Sequence, residues 1–99
     1  MDLLKDDEIT SRIRMVGPWE YDSEDKILIR ETMFKDFMEA MGFLNKLAEA
    51  AEKLNHHPDM TLCEYSRVIV TTTTHDAGGI TDNDIQLAQS FEEILEGYD

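Results

Sequence analysis

The sequence predicts a single α+β domain in which helices cover one face of an antiparallel sheet. Residues 32–54 place apolar side chains every three or four positions, which indicates an amphipathic helix. Residues 65–75 are rich in β-branched side chains, which are typical of a strand. A chain of 99 residues has the length of one domain, so we expect residues 1–99 to fold as one unit.

The N-terminal third of the chain predicts a short helix followed by a hairpin. Residues 1–17 form a short helix or an ordered arm, because a weak amphipathic pattern is followed by Gly17 and Pro18. Residues 19–21 begin a strand, the polar run 22–25 supplies a turn, and residues 26–31 return as a second strand.

The long helix has a predicted start and a predicted end. Thr32 is a suitable N-cap. The helix should end near Asn55, because Pro58 disfavours the helical conformation for His57. Its Met and Phe stripe predicts packing in the core or against another subunit.

Beyond Pro58, a loop over residues 58–65 leads into the predicted strand 65–75. Thr81 and Asp84 then match a capping box, which predicts a last helix running to about Glu96. These elements make two or three antiparallel strands and two main helices. A monomer would leave an edge strand exposed, so we expect pairing with a second copy of the chain.

Composition limits the partners and the compartment. The chain has 22 acidic and 9 basic residues and a net charge of −13, which disfavours nucleic-acid binding. Cys63 is the single cysteine and suits a reducing cytosol. The acidic N-terminus does not resemble a signal peptide, and no apolar run approaches the ~20 residues that cross a bilayer. We therefore expect a cytoplasmic protein without a membrane partner.

The three histidines of the chain, His56, His57 and His75, all lie within residues 52–84. His56 and His57 follow the C-terminus of the long helix, where the partial negative charge of backbone carbonyls favours imidazolium. Glu52 precedes His56 by one helical turn and is expected to support the same proton. A protonated histidine is a suitable general acid for a poor leaving group such as hydroxide, and His75 is placed to approach from the other side of a cleft.

Two alternatives accompany this interpretation. Neutral imidazoles are common zinc ligands, so the histidines with Glu52 could instead form a metal site. Asp84 fits the role of a helix-capping carboxylate better than that of a catalytic one.

The arrangement resembles the signature of the pterin-4a-carbinolamine dehydratases, and the likeness extends over residues 19–94; it is carried by Glu52, His56, His57, Pro58, Tyr65, His75 and Asp84. The resemblance implies a four-stranded antiparallel sheet with helices on one face, and dimers or dimers of dimers. It implies conversion of 4a-hydroxytetrahydropterin to quinonoid dihydropterin, with no metal or organic cofactor.

The resemblance also implies roles for individual residues. His56 and His75 would donate and accept protons, and His57 would join them in catalysis while helping to bind the pterin. The substrate-binding residues implied are Glu52, His57, Pro58 and Asp84. The family often carries an aromatic residue shortly after the His-His-Pro, where this chain has Met60, whose thioether could still cover a flat ring.

Some relatives of this family bind and stabilise the dimeric form of a homeodomain transcription factor. An interaction module that takes a helical protein partner is therefore the alternative function.

Overall fold

The computed structural model describes residues 2–98 as a four-stranded sheet with three α-helices. The elements in chain order are α1 (Asp6–Val16), β1 (Glu20–Asp22), β2 (Ile27–Met33), α2 (Phe37–Leu54), β3 (Asp59–Cys63), β4 (Arg67–Thr72), a 3-10 helix (His75–Ala77) and α3 (Asp82–Leu95). All strand pairs are antiparallel, in the order β1-β2-β4-β3. The α+β class and the four-stranded antiparallel sheet are confirmed.

One face of the sheet is covered by the helices. Along β4, Val68 and Val70 are fully buried, whereas the alternating Ile69 is only half-buried. Strand β2 shows the same alternation, because side chains two residues apart lie on one face of a strand. The covered face packs on aromatic side chains of the helices, among them Phe43 and Phe91, whose ring centroids are 4.8 Å apart. The prediction that helices lie on one face is confirmed.

The predicted start of the long helix was wrong by about one turn. Helix α2 begins at Phe37, and the Asp36 side chain caps it by accepting a hydrogen bond from the Glu39 backbone N–H at 2.8 Å. Thr32 instead continues β2, where it pairs with Val68 of β4. Pairing with a distant strand therefore outweighed the local capping preference of Thr32.

The region between the long helix and β4 also differs from the prediction. Residues expected to form a loop make the edge strand β3, which pairs with β4 along its whole length. The strand predicted over residues 65–75 is shorter, because Glu64 and Tyr65 adopt left-handed conformations, with φ of 49° and 54°, in the β3–β4 turn. His75 lies in the 3-10 helix that follows β4.

The other helix signals are confirmed. Helix α1 ends next to Gly17, and α2 ends at Leu54 with Asn55 as its left-handed C-cap. Thr81 and Asp84 form the predicted capping box of α3. None of the helices within residues 2–98 has the length and apolar character needed to cross a membrane.

Candidate active site

The three histidines lie on one open cleft of about 290 Å³. His56 and His57 reach it from the end of α2, and His75 reaches it from the loop after β4. The cleft is lined by Asn55, His56, His57, Thr73, Thr74, His75 and Asp76. The structure therefore brings together the histidines that the sequence analysis singled out.

A left-handed turn at Asn55 precedes the two adjacent histidines. Asn55 has φ of 52° and ψ of 43°, and the His56 backbone N–H donates to the Ala51 carbonyl oxygen at 3.0 Å. This turn directs the His56 side chain into the protein, where it is 9% exposed, and leaves His57 exposed. Pro58 is half-buried and lies between His57 and the first residue of β3.

The His56 ring is held by a buried carboxylate. Its Nε2 lies 2.6 Å from Asp84 Oδ1 and 3.2 Å from Thr72 Oγ1. An ionised carboxylate only accepts hydrogen bonds, so Nε2 carries the proton and donates it to Asp84. Within residues 2–98, Nδ1 has no hydrogen-bond partner and is not a buried unpaired atom, so it is accessible at the surface, and His56 is one of the residues that line the cleft.

Asp84 is fully buried and accepts hydrogen bonds from several chain segments. Oδ1 accepts from His56 and from the Thr72 hydroxyl at 2.6 Å. Oδ2 accepts from the Thr74 hydroxyl at 2.7 Å and from the Thr81 backbone N–H at 2.9 Å. The capping role predicted for Asp84 is confirmed. The same carboxylate also hydrogen-bonds to His56, and it lies behind that ring rather than on the cleft wall.

Glu52 does not support the His56 proton, so that expectation was wrong. Its Oε2 pairs with His57 Nε2, and both side chains are exposed. The four-residue spacing from Glu52 to His56 would place them on one face only if the helix continued through His56. The helix ends at Leu54, and the left-handed turn at Asn55 brings His57 to Glu52 instead.

His75 is exposed and begins the 3-10 helix. The loop that carries it is closed at its base, because the Thr74 backbone N–H donates to the Gly79 carbonyl oxygen at 2.9 Å. Gly78 adopts a φ of +80°, a conformation that side chains rarely take, which lets the loop reverse direction. His75 thus projects from a constrained loop that lies across the cleft from the end of α2.

Sequence reasoning missed the threonines that hold Asp84. Thr72 and Thr74 alternate along the chain and continue the covered face of the sheet beyond Val68 and Val70. Hydroxyl groups at two successive core-facing positions indicate a buried polar partner, and this signal could have found them.

The remaining predicted groups lie outside the cleft wall. Met60 belongs to β3 and is 40% exposed, and Tyr65 lies in the β3–β4 turn and is 67% exposed. Among residues 2–98, no three or more His, Cys, Asp or Glu side chains are grouped in a way that could hold a metal ion.

Comparison with known proteins identifies the family. The family pattern described as pterin 4 alpha carbinolamine dehydratase matches residues 2–94 of this chain. The chain belongs to this dehydratase family. A family relative from Thermomicrobium roseum, provisionally named a pterin-4-alpha-carbinolamine dehydratase, is 45% identical over 92% of this chain and 95% of its own.

Solved structures extend the comparison with the dehydratase family. The crystal structure of a transcriptional coactivator/pterin dehydratase from Brucella melitensis superposes with a TM-score of 0.87 at 35% identity, and covers 94% of this chain and 98% of that one. A pterin dehydratase-like protein identified as a RuBisCO assembly factor in the alpha-carboxysome has a TM-score of 0.66 at 16% identity, over 79% of this chain and 89% of that one. The second likeness shows a shared fold alone.

Proposed function

We propose that the protein dehydrates 4a-hydroxytetrahydropterin to quinonoid dihydropterin and water, which returns the pterin to a recyclable form. The observation that carries this proposal is the buried hydrogen bond from His56 Nε2 to Asp84, which leaves Nδ1 without a partner in residues 2–98 on a ring that lines the same cleft as His75. In the reaction the C4a–O bond breaks, the leaving hydroxyl gains a proton, and a ring N–H loses one. A proton donor and a proton acceptor on opposite sides of one cleft suit this chemistry.

His56 and His75 have different surroundings and therefore suit different tasks. His56 is buried and hydrogen-bonded through Nε2 to Asp84, so its ring is fixed in one orientation and is the general acid in this proposal. His75 is exposed on its constrained loop and accepts the proton from the pterin ring. No metal or organic cofactor takes part in the proposed reaction.

The exposed rim of the cleft binds the substrate in this proposal. Glu52 and His57 form a hydrogen-bonded pair beside the cleft, and their polar atoms suit the N–H and carbonyl groups of a pterin. His57 is also close enough to the cleft to assist proton transfer. Pro58 restricts the backbone that carries His57, and Asp84 contributes to substrate binding indirectly, by holding His56.

The decay of 4a-hydroxytetrahydropterin, followed by absorbance with and without protein, tests the proposal. His56→Ala and His75→Ala should each lower kcat/KM by about 100-fold, within the contribution expected from general acid–base catalysis. Asn45→Ala, on an exposed position of α2, is the control and should keep wild-type kinetics. No acceleration by the wild type, or unaltered rates in both histidine variants, would refute the function.

We also propose that the protein acts in the cytoplasm as a homodimer or homotetramer. Strands β1 and β3 are the two edges of the sheet, and β3 exposes Met60 and Thr61. An unpaired edge favours extension of the sheet by a second copy. Analytical ultracentrifugation at micromolar concentration should show an assembly; a monomer would contradict this part of the proposal.

A second candidate function is an interaction module for a helical protein partner. Helix α2 exposes Phe37, Met38 and Met41, with Met38 74% exposed. Adaptable methionine surfaces accept amphipathic helices. Binding of an amphipathic helical peptide that survives both His56→Ala and His75→Ala would support this role, whereas self-association without peptide binding would count against it.

A further inference from the structure

Thr72 is the polar residue on the covered face of β4. It is the last residue of β4, is 3% exposed and faces the helices. Val68 and Val70 precede it on the same face and are fully buried. A buried hydroxyl is costly unless it is hydrogen-bonded, so its partner indicates what this position does.

The Thr72 hydroxyl hydrogen-bonds to the same carboxylate oxygen that accepts the hydrogen bond from His56. Thr72 Oγ1 donates to Asp84 Oδ1 at 2.6 Å, and His56 Nε2 lies 2.6 Å from that oxygen. His56 Nε2 is also 3.2 Å from Thr72 Oγ1, so the three atoms form a closed triangle. Because the Thr72 hydroxyl uses its single proton in the hydrogen bond to Asp84, its oxygen lone pairs are available to accept from the imidazole N–H.

Thr74 makes a comparable hydrogen bond on the opposite side of the carboxylate. Its hydroxyl donates to Asp84 Oδ2, the oxygen that also accepts from the Thr81 backbone N–H and so caps α3. Thr72 is therefore the hydroxyl that contacts both the carboxylate and the histidine, whereas Thr74 secures the capping side of Asp84.

We propose that Thr72 is a positioning residue for His56, an inference that rests on the proposed dehydratase function. Its hydroxyl fixes the edge of Asp84 that faces the imidazole and gives Nε2 a second contact. The ring plane is thereby held with Nδ1 at the cleft. Without the hydroxyl, Thr74 and Thr81 still keep the carboxylate in place, but the ring can rotate about its single remaining hydrogen bond.

Three variants test this role kinetically. Thr72→Val preserves the side-chain shape and removes the hydroxyl, and it should lower kcat about tenfold with KM within about twofold of wild type. Thr72→Ser restores the hydroxyl and should recover kcat to within about threefold. Thr71→Val is the matched control, because Thr71 lies on the other face of β4. Thr71 pairs with Ile29 and Asp59 of the neighbouring strands, and its substitution should leave kcat unchanged. Wild-type kcat in Thr72→Val, or an equal loss in Thr72→Val and Thr72→Ser, would overturn the proposal.

Nitrogen-15 NMR of the His56 ring provides a readout that does not depend on turnover. The Nε2 proton should exchange slowly with solvent in wild type and in Thr72→Ser, and faster in Thr72→Val. An exchange rate in Thr72→Val equal to that of wild type would overturn the positioning role, even if the wild type failed to dehydrate the pterin. If Thr72→Val does not fold, a Thr72 hydroxyl proton protected from exchange in the wild type supports the proposal, and rapid exchange of that proton overturns it.

Discussion

Replacing Asp84 by asparagine should affect both the stability of the fold and the activity of the cleft. Asp84 is fully buried and accepts four hydrogen bonds, from His56, Thr72, Thr74 and the Thr81 backbone N–H. Asparagine has nearly the same shape, but one of its two terminal groups is an amide NH₂ that can only donate. Whichever way the amide is oriented, the NH₂ faces one N–H donor, from His56 or from the Thr81 backbone, and one threonine hydroxyl, which can turn to accept instead.

The cost can be worked out from these contacts. A buried donor that loses its acceptor costs about 1–3 kcal/mol, so the one N–H left facing the NH₂ lowers the free energy of unfolding by about that amount. The free energy of unfolding of a whole domain is about 5–15 kcal/mol, so Asp84→Asn should be clearly destabilised. The variant should still fold at low temperature, where its stability can be measured. In the variant His56 also loses its charged acceptor, and kcat/KM for the pterin should fall about 100-fold.

Urea unfolding and the absorbance assay for 4a-hydroxytetrahydropterin measure these two effects. Asp82→Asn is the matched control, because Asp82 lies in the same first turn of α3 but has an exposed side chain. Its surface ion pair with Arg12 contributes less than about 1 kcal/mol, and its loss should not change activity. The reasoning fails if Asp84→Asn is no less stable than Asp82→Asn, or if its kcat/KM stays within threefold of wild type.

Two further predictions concern pH and substrate charge. Burial, followed by the hydrogen bond to Asp6, raises the pKa of Tyr21 from 10.0 to about 12, so the unfolded chain releases this proton first and stability should fall as pH rises through that range. Measured by urea unfolding, Tyr21→Phe should lose less stability than the wild type over this pH range. An identical loss in both proteins would contradict the link between the Tyr21 pKa and stability. The described residues that line the cleft include Asp76 but no lysine or arginine, and the chain carries a net charge of −13. A pterin with a phosphorylated side chain should therefore show a higher KM than a neutral one at low salt, with the gap narrowing as salt rises; equal values would contradict this.

The elements that the sequence predicted well are those specified by local chemistry. The Thr81–Asp84 capping box and the end of α2 at Asn55 depend on residues within one turn of each other. The start of α2 depends instead on whether residues 32–33 pair with β4, because residues in a strand cannot belong to the helix. The capping preference of Thr32 does not predict that pairing. Strand β3 was missed from the residues alone because it is a short edge strand with three exposed positions, and β4 supplies its pairing.

The candidate site shows the same division between local and distant contacts. The sequence and the family resemblance pointed to the histidines, and the structure places all three on one cleft. Glu52 was expected to be the partner of His56 from helical spacing, which fails once Asn55 turns left-handed. Glu52 pairs with His57 instead, and Asp84 pairs with His56. Helical periodicity carries no information beyond the last residue of a helix.

The buried carboxylate gives a physical reason for assigning the two adjacent histidines different parts in the proposed reaction. Asp84 joins the start of α3, the end of β4 and the segment that follows α2, so the orientation of His56 depends on the packed core. Within residues 2–98, the side chains of His57 and Glu52 pair with each other at the surface, so they can change without disturbing that core. In the proposed mechanism, a fixed proton donor beside an adaptable rim would keep the chemistry constant while the rim adjusts to the side chain of the pterin. Departures such as Met60, which lies on the edge strand rather than on the cleft wall, should therefore affect substrate affinity more than the chemical step.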